Sequence, residues 1–348
     1  MIIHFHKSIL FIVVLLASSN IFSCNFESSP IAPELDSVKE LCRFGSGYYV
    51  ASIEFDSKGG AWIGTLRQGL LHFSGNNLKQ LYDGYPEIIN QSLYSIAIDQ
   101  DDNIWIGGNG LLKFDGKTFT RFDKTNSPLP ENLIPSVACD KDNCLWISSM
   151  VFMNGGIARK YDRFWDVYTP KNSPLQYSSV WDIEVNDKNE KWIAISEYVR
   201  RPLVMKISNG EWTVYDSTDF GFKPFYFRDI SVNGDDAAVL IDYSLGSGNY
   251  KNDPDIILFR SNRWRAMKVS GSDSQKLGMI DPIFLDNRGN IWAGVHNNQN
   301  RIYLAVYDGQ SWITNPGNIP LTDITCIAQD NFNRIWLGTT SGIIVLSY

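Results

Sequence analysis

The sequence predicts an all-β protein, a seven-bladed β-propeller of four-stranded blades. Three observations carry this expectation. Trp residues recur after Asp- and Asn-rich turns at positions 62, 105, 146, 192, 292 and 336, with gaps of 43, 41, 46, 100 and 44. That period lies in the range of a propeller blade, and the gap of 100 hides a divergent unit at Arg228–Val269. Each unit alternates apolar and polar residues over short β-branched runs between Gly and Asn turns. After residue 24 no stretch carries a helical period of useful length.

Each unit contains the same four strands. Strand A alternates, as in Ser95-Ile96-Ala97-Ile98. The turn that follows is rich in Asp and Asn, whose side chains bond their own backbone and tolerate left-handed conformations. Strand B is the Ile-Trp-Ile-Gly stretch, and strand C is Gly-Leu-Leu-x-Phe, as in Gly110–Phe114. Asp115-Gly116 turns the chain into strand D at Phe119–Phe122. In the divergent unit Val239-Leu240-Ile241 takes the place of the Trp strand. One such sheet cannot bury both faces, whereas stacked neighbours bury all of them. The last unit ends on strand C at Tyr348, and Val38–Phe44 resembles an orphan strand D. The N-terminal strand is therefore expected to complete the C-terminal blade and remove an open edge.

Residues 1–23 read as a signal peptide, with Lys7 as the positive region and Ile9–Ala17 as an apolar core too short to span a bilayer. Ser23-Cys24 after that core resembles a bacterial lipoprotein cleavage box, which implies a lipid anchor on Cys24. Cleavage near Ser23 with Cys24 left as a thiol is the alternative. Residues 24–35 are polar and contain Pro, as suits a tether, and 36–348 form the propeller. The expected location is the outer membrane, facing the periplasm or the cell surface, with membrane contact through the lipid alone.

The chain has 44% hydrophobic and 20% charged residues, a globular balance. Its net charge of −7, or −8 without Lys7, leaves no expectation of a nucleic-acid partner. Cys139 and Cys144 flank a four-residue turn and are a possible disulfide in an oxidising compartment, or else two free thiols. Cys42 and Cys326 have no evident partner. No CxxC pair or Cys/His cluster suggests a metal, and no cofactor is expected. The turn at Asp99–Asn103 lacks the Gly and the bidentate Glu of a calcium loop.

Blades one, two and seven, with Trp62-Ile63-Gly64-Thr65, Trp105-Ile106-Gly107-Gly108 and Trp336-Leu337-Gly338-Thr339, resemble the two-component regulator propeller repeat. The linkers Asn126-Ser127-Pro128-Leu129-Pro130 and Asn172-Ser173-Pro174-Leu175 are similar to linkers between such repeats. The resemblance implies the extracytoplasmic sensor part of hybrid histidine kinases, a family often linked to glycan sensing. With no kinase part after Tyr348, only the binding half of that role is expected here.

Catalysis has few histidines to draw on. His72 lies in a packing pattern, and His296 lies in a polar segment. Streptogramin lyases have a similar repeat and depend on His, and scattered carboxylates leave a glycosidase pair open. The B–C connections of blades three to six are long and carry Phe152, Tyr198, Arg200, Arg201, Tyr250 and His296, and a D–A loop adds Tyr177. Loops on a rigid scaffold carry function, and exposed Tyr, Phe and Arg serve sugars and protein hot spots. Packing of these aromatics between blades is the alternative. The expected function is a non-catalytic binding module for a glycan or an envelope protein. A structural component of an envelope complex comes next, and an enzyme last.

Overall fold

A computed structural model describes residues 38–81, 88, 90–150, 154–197, 202–243, 253–269, 280–296, 302–321 and 323–348. Strand β1 is Lys39–Phe44. Blade one holds β2 to β5 (Val50–Phe55, Ala61–Thr65, Leu70–Ser74, Asn77–Leu81). Blade two holds β6 to β9 (Ser95–Ile98, Ile104–Gly108, Gly110–Phe114, Phe119–Phe122). Blade three holds β10 to β13 (Val137–Cys139, Leu145–Ser149, Gly156–Tyr161, Phe164–Tyr168). Blade four holds β14 to β17 (Val180–Val185, Lys191–Ile195, Leu203–Ser208, Glu211–Tyr215). Blade five holds β18 to β21 (Phe227–Asn233, Asp236–Ile241, Ile256–Arg260, Arg263–Met267). Blade six holds β22 to β25 (Ile280–Leu285, Ile291–His296, Ile302–Tyr307, Trp312–Thr314), and blade seven adds β26 to β28 (Ile324–Gln329, Ile335–Thr339, Gly342–Ser347).

The seven antiparallel sheets form a closed ring. Each inner strand neighbours the next, and β26 returns to β2. Helix is limited to isolated turns among the described residues, such as Ser217–Phe220 and the 3-10 turn at Pro316–Asn318. Seven buried clusters lie one at each blade interface. The recurrent Trp of a blade packs toward the following blade, as Trp105 does with Ile134 and Leu145 of blade three. In blade five Ala238 fills the Trp register, opposite Ser231, where blade one pairs Trp62 with Glu54. Gly after Trp allows the close approach: a Cβ on Gly64 would stand 2.7 Å from Leu93 O of blade two.

Five of the seven turns from strand A to strand B are tied by their own Asp. The Trp Nε1 six residues later donates to that carboxylate in Asp56–Trp62 (3.1 Å) and in Asp99–Trp105, Asp140–Trp146, Asp286–Trp292 and Asp330–Trp336 (2.8 Å each). The other oxygen accepts backbone N–H groups of the turn, as Asp286 does from Arg288 and Asn290.

The predicted closure is present. Strand β1 pairs with β28 from Lys39↔Ser347 to Phe44↔Ile343, so the first strand supplies the outer edge of the last blade. Phe44 is buried there, stacked on Phe73 at 4.4 Å and edge-on to Trp336 at 5.6 Å.

Cys139 and Cys144 follow the free-thiol alternative and not the disulfide. Cys139, Cys144 and Cys326 are free thiols. The register sets Cys139 opposite Leu145, one residue beyond Cys144. Cys139 therefore faces the central channel, while Cys144 Sγ accepts a 3.2 Å bond from Arg159 Nη2 on the other side. Cys42 in β1 is disulfide-bonded, to a partner outside the described residues.

Candidate functional site

The ring encloses a cavity of about 760 Å³ lined by all seven inner strands and by Leu133 and Met150, on the face that carries the B–C and D–A loops. Register shifts interrupt five inner strands near their starts, for example between Val180 and Asp182 and between Phe227 and Asp229. A bulge of this kind re-aims consecutive side chains, and both Trp181 and Asp182, like Arg228 and Asp229, line the cavity.

Three tiers follow from the registers. Tyr94, Pro135, Trp181 and Arg228 surround the mouth. Tyr94 is 42% exposed, and Trp181 is half-buried and edge-on to Tyr226 at 5.3 Å. The indole Nε1 of Trp181 is buried beside the Tyr226 side chain.

The second tier is a belt of bonds between blades. Ser52 Oγ donates to Leu93 O (3.4 Å), and Ser95 Oγ accepts from Val137 N (3.1 Å). Ser136 Oγ accepts from Ile183 N (3.2 Å). Asp182 Oδ2 accepts from Ile230 N and Asp229 Oδ2 from Ile283 N, both at 3.0 Å. Thr325 Oγ1 donates to Val50 O at 2.7 Å and joins blade seven to blade one.

The third tier holds Glu54 and Glu184 among small residues such as Ala97 and Ala138. The channel is thus strongly acidic, and Arg228 is the one cation among its described lining residues. Arg228 lies 3.8 Å from Asp242. Enclosure by protein pushes the Glu54 carboxyl up to about 7, even though the side chain meets channel water. Burial and the neighbouring carboxylates raise Glu184 and Asp229 well above the usual range. Asp182 is raised by burial against the pull of its backbone donors. Burial also keeps Cys139 and Cys326 as thiols, Cys326 at about 12.

Most of the sequence-predicted site falls outside the described residues. Cys24, Phe152, Tyr198, Arg200, Arg201 and Tyr250 are outside the described residues. His296 ends β23 opposite Ile302. Tyr177 is half-buried against the cluster between blades three and four. His72 stacks on Trp62 at 4.1 Å with Nε2 3.2 Å from Asp56 Oδ2, a packing position as expected. Sequence reasoning missed the channel carboxylates and Trp181. Their signal was a carboxylate at alternate positions of an inner strand, as in Trp181-Asp182-Ile183-Glu184. No group of three or more His, Cys, Asp or Glu among the described residues is arranged to hold a metal.

The two-component regulator propeller pattern matches residues 87–110 and 318–341, which contain the inner strand, the Asp turn and the Trp strand of blades two and seven. Two segments of the chain thus match the two-component regulator propeller repeat. No curated protein matches the sequence of this repeat protein. Among solved structures it is similar to the extracellular domain of the one component system BT4673 from B. thetaiotaomicron, at 17% identity and TM-score 0.63. That likeness covers 87% of this chain but 39% of the other, so this chain spans well under half of that ectodomain. Virginiamycin B lyase from Staphylococcus aureus is similar over 90% of this chain and 99% of its own, at 13% identity and TM-score 0.63. YCF48 bound to D1 peptide is similar over 92% of this chain and 97% of its own, at 10% identity and TM-score 0.63. At these identities the structural likenesses establish the fold.

Proposed function

We propose that this regulator propeller is an extracytoplasmic, non-catalytic binding module that takes a glycan at the mouth of its channel. The observation that carries the reading is the pairing of apolar rings with a hydrogen-bonding belt. Tyr94, Trp181 and Pro135 offer flat surfaces for sugar C–H faces. Below them, carboxylates and hydroxyls supply acceptors for sugar hydroxyl groups. The extracellular domain among the similar structures supports the compartment. Screening the purified domain on a glycan array tests the reading, with Trp181→Ala as the control. Binding that survives Trp181→Ala at full strength overturns the mouth as the site. Absence of any glycan ligand, with an envelope protein recovered instead, moves the function to protein binding, the side favoured by the peptide-bound YCF48 structure. Turnover of a bound glycan makes the protein an enzyme and its channel carboxylates the first suspects.

Lipid anchoring through Cys24 to the outer membrane belongs to the same proposal. No described helix is long and apolar enough to cross a membrane. Mass spectrometry of the mature protein separates the outcomes. A lipid on the N-terminal Cys24 peptide supports the anchor, and an unlipidated Cys24 peptide refutes it. Cys24→Ala is expected to release the protein into the soluble fraction.

A further inference from the structure

Asp182 and Asp229 occupy the same tier on neighbouring inner strands, β14 and β18. Asp182 Oδ2 accepts from Ile230 N at 3.0 Å, so its carboxyl group lies against the residue that follows Asp229. The two side chains are in hydrogen-bond contact with each other. Ionised carboxylates carry acceptors only, so a bond between two carboxyl groups needs a proton on one of them. Blades one to three make the equivalent belt bonds with Ser52, Ser95 and Ser136, which do not titrate. The substitution of acid for hydroxyl occurs at two consecutive blades, where the two acids meet.

We propose that Asp182 and Asp229 hold one proton between them, a pH-sensitive clasp that fixes the spacing of blades four and five at the channel mouth. Trp181 and Arg228 each directly precede a clasp residue, so the mouth moves with the clasp. Loss of the proton leaves two negative charges in contact and weakens the grip of Asp182 on the Ile230 amide. The groups facing the pair are Glu54 on β2, Glu184 on β14 and Arg228 on β18, with Asp242 after β19, Cys326 on β26 and Cys139 on β10. Arg228 is the single cation of this set, and its ion pair with Asp242 is longer than the clasp bonds. Two further carboxylates below favour keeping the proton. Burial raises both clasp groups, in keeping with a retained proton. The clasp stands whether or not the mouth binds a glycan, and its test uses no ligand.

The experiment is amide exchange at Ile230 between pH 5 and pH 8, corrected for intrinsic exchange, in the wild type, Asp229→Asn and Asp182→Asn. In the wild type the protection factor is expected to fall about tenfold or more, the equivalent of one pKa unit. Asp229→Asn supplies a permanent N–H donor to Asp182, so its protection is expected to change less than about twofold. An infrared difference spectrum on a Glu54→Gln/Glu184→Gln background should show a protonated carboxyl band at pH 6 that both Asn variants remove. A flat wild-type profile, the same slope in Asp229→Asn, or no such band overturns the clasp. The infrared measurement needs only the background protein, so it decides the matter if either Asn variant fails to fold.

Discussion

Trp192 is buried with no acceptor for its Nε1, and Asn186 stands six residues before it, where five other blades carry the Asp that accepts this bond. Asn186 spends Oδ1 on the Lys188 and Glu190 amides and Nδ2 on Glu190 Oε2 and Gly234 O. One nitrogen in place of one oxygen thus converts a latch within the blade into a bond to blade five. The orphaned indole donor is the cost of that exchange.

The same chemistry predicts the effect of Asp286→Asn. Asp286 is fully buried and accepts from Trp292 Nε1 and Asn290 Nδ2 through Oδ2. The amide of Asn would face two donors with a third, leaving a buried Trp N–H unpaired. A loss of about 2 kcal/mol is expected in urea unfolding. Asn186→Asp loses two donated bonds and gains one, so it should also destabilise, by about 1 kcal/mol.

Closure of the ring rests on few side chains. Phe44→Ala removes a buried ring from between Phe73 and Trp336 and should cost about 3–5 kcal/mol. Deleting Val38–Phe44 should cost more, because the β1–β28 ladder goes with it. Thermal melts of both variants check the point, and unchanged midpoints would contradict closure by β1.

Stability should fall as pH rises from about 4.5 to 8. Glu54, Glu184, Asp182 and Asp229 have folded pKa values above their unfolded ones, so the native state binds more protons in this window. Their contribution is present below the unfolded values near 4 and is lost as pH passes the folded value, about 7 for Glu54. Asp140 works the other way. Burial opposes its ionisation, but Trp146, the Cys144 amide and Lys191 pull it down, so it destabilises only on further acidification. Calorimetry across pH 4.5–8 should show a falling midpoint, with a shallower slope in Glu54→Gln.

Ligand binding separates the mouth from the loops. Trp181→Ala and Tyr94→Ala should each weaken glycan binding at least tenfold, about 1.4 kcal/mol, with the melting midpoint near wild type. Tyr177→Ala should lower the midpoint and spare affinity, since Tyr177 packs between blades. If Arg200→Ala/Arg201→Ala/Tyr250→Ala abolishes binding while Trp181→Ala does not, the site lies on the B–C loops.

The sequence by itself determined the blades. Trp spacing, alternation and the Asp turn are local signals, because each blade is one supersecondary unit repeated, and even the divergent unit at Arg228–Val269 and the closing strand were readable as fragments of that repeat. Tertiary structure alone decided what shares the channel. Glu54, Asp182 and Asp229 are separated by more than a hundred residues or by a whole blade, and only the radial arrangement of inner strands brings them to one cavity. Register decided the cysteines as well: Cys139 and Cys144 are close in sequence, yet strand pairing turns one to the channel and the other to Arg159. Periodicity identifies which residues face a neighbouring blade, but the identity of a residue's partner across the axis depends on how the ring closes.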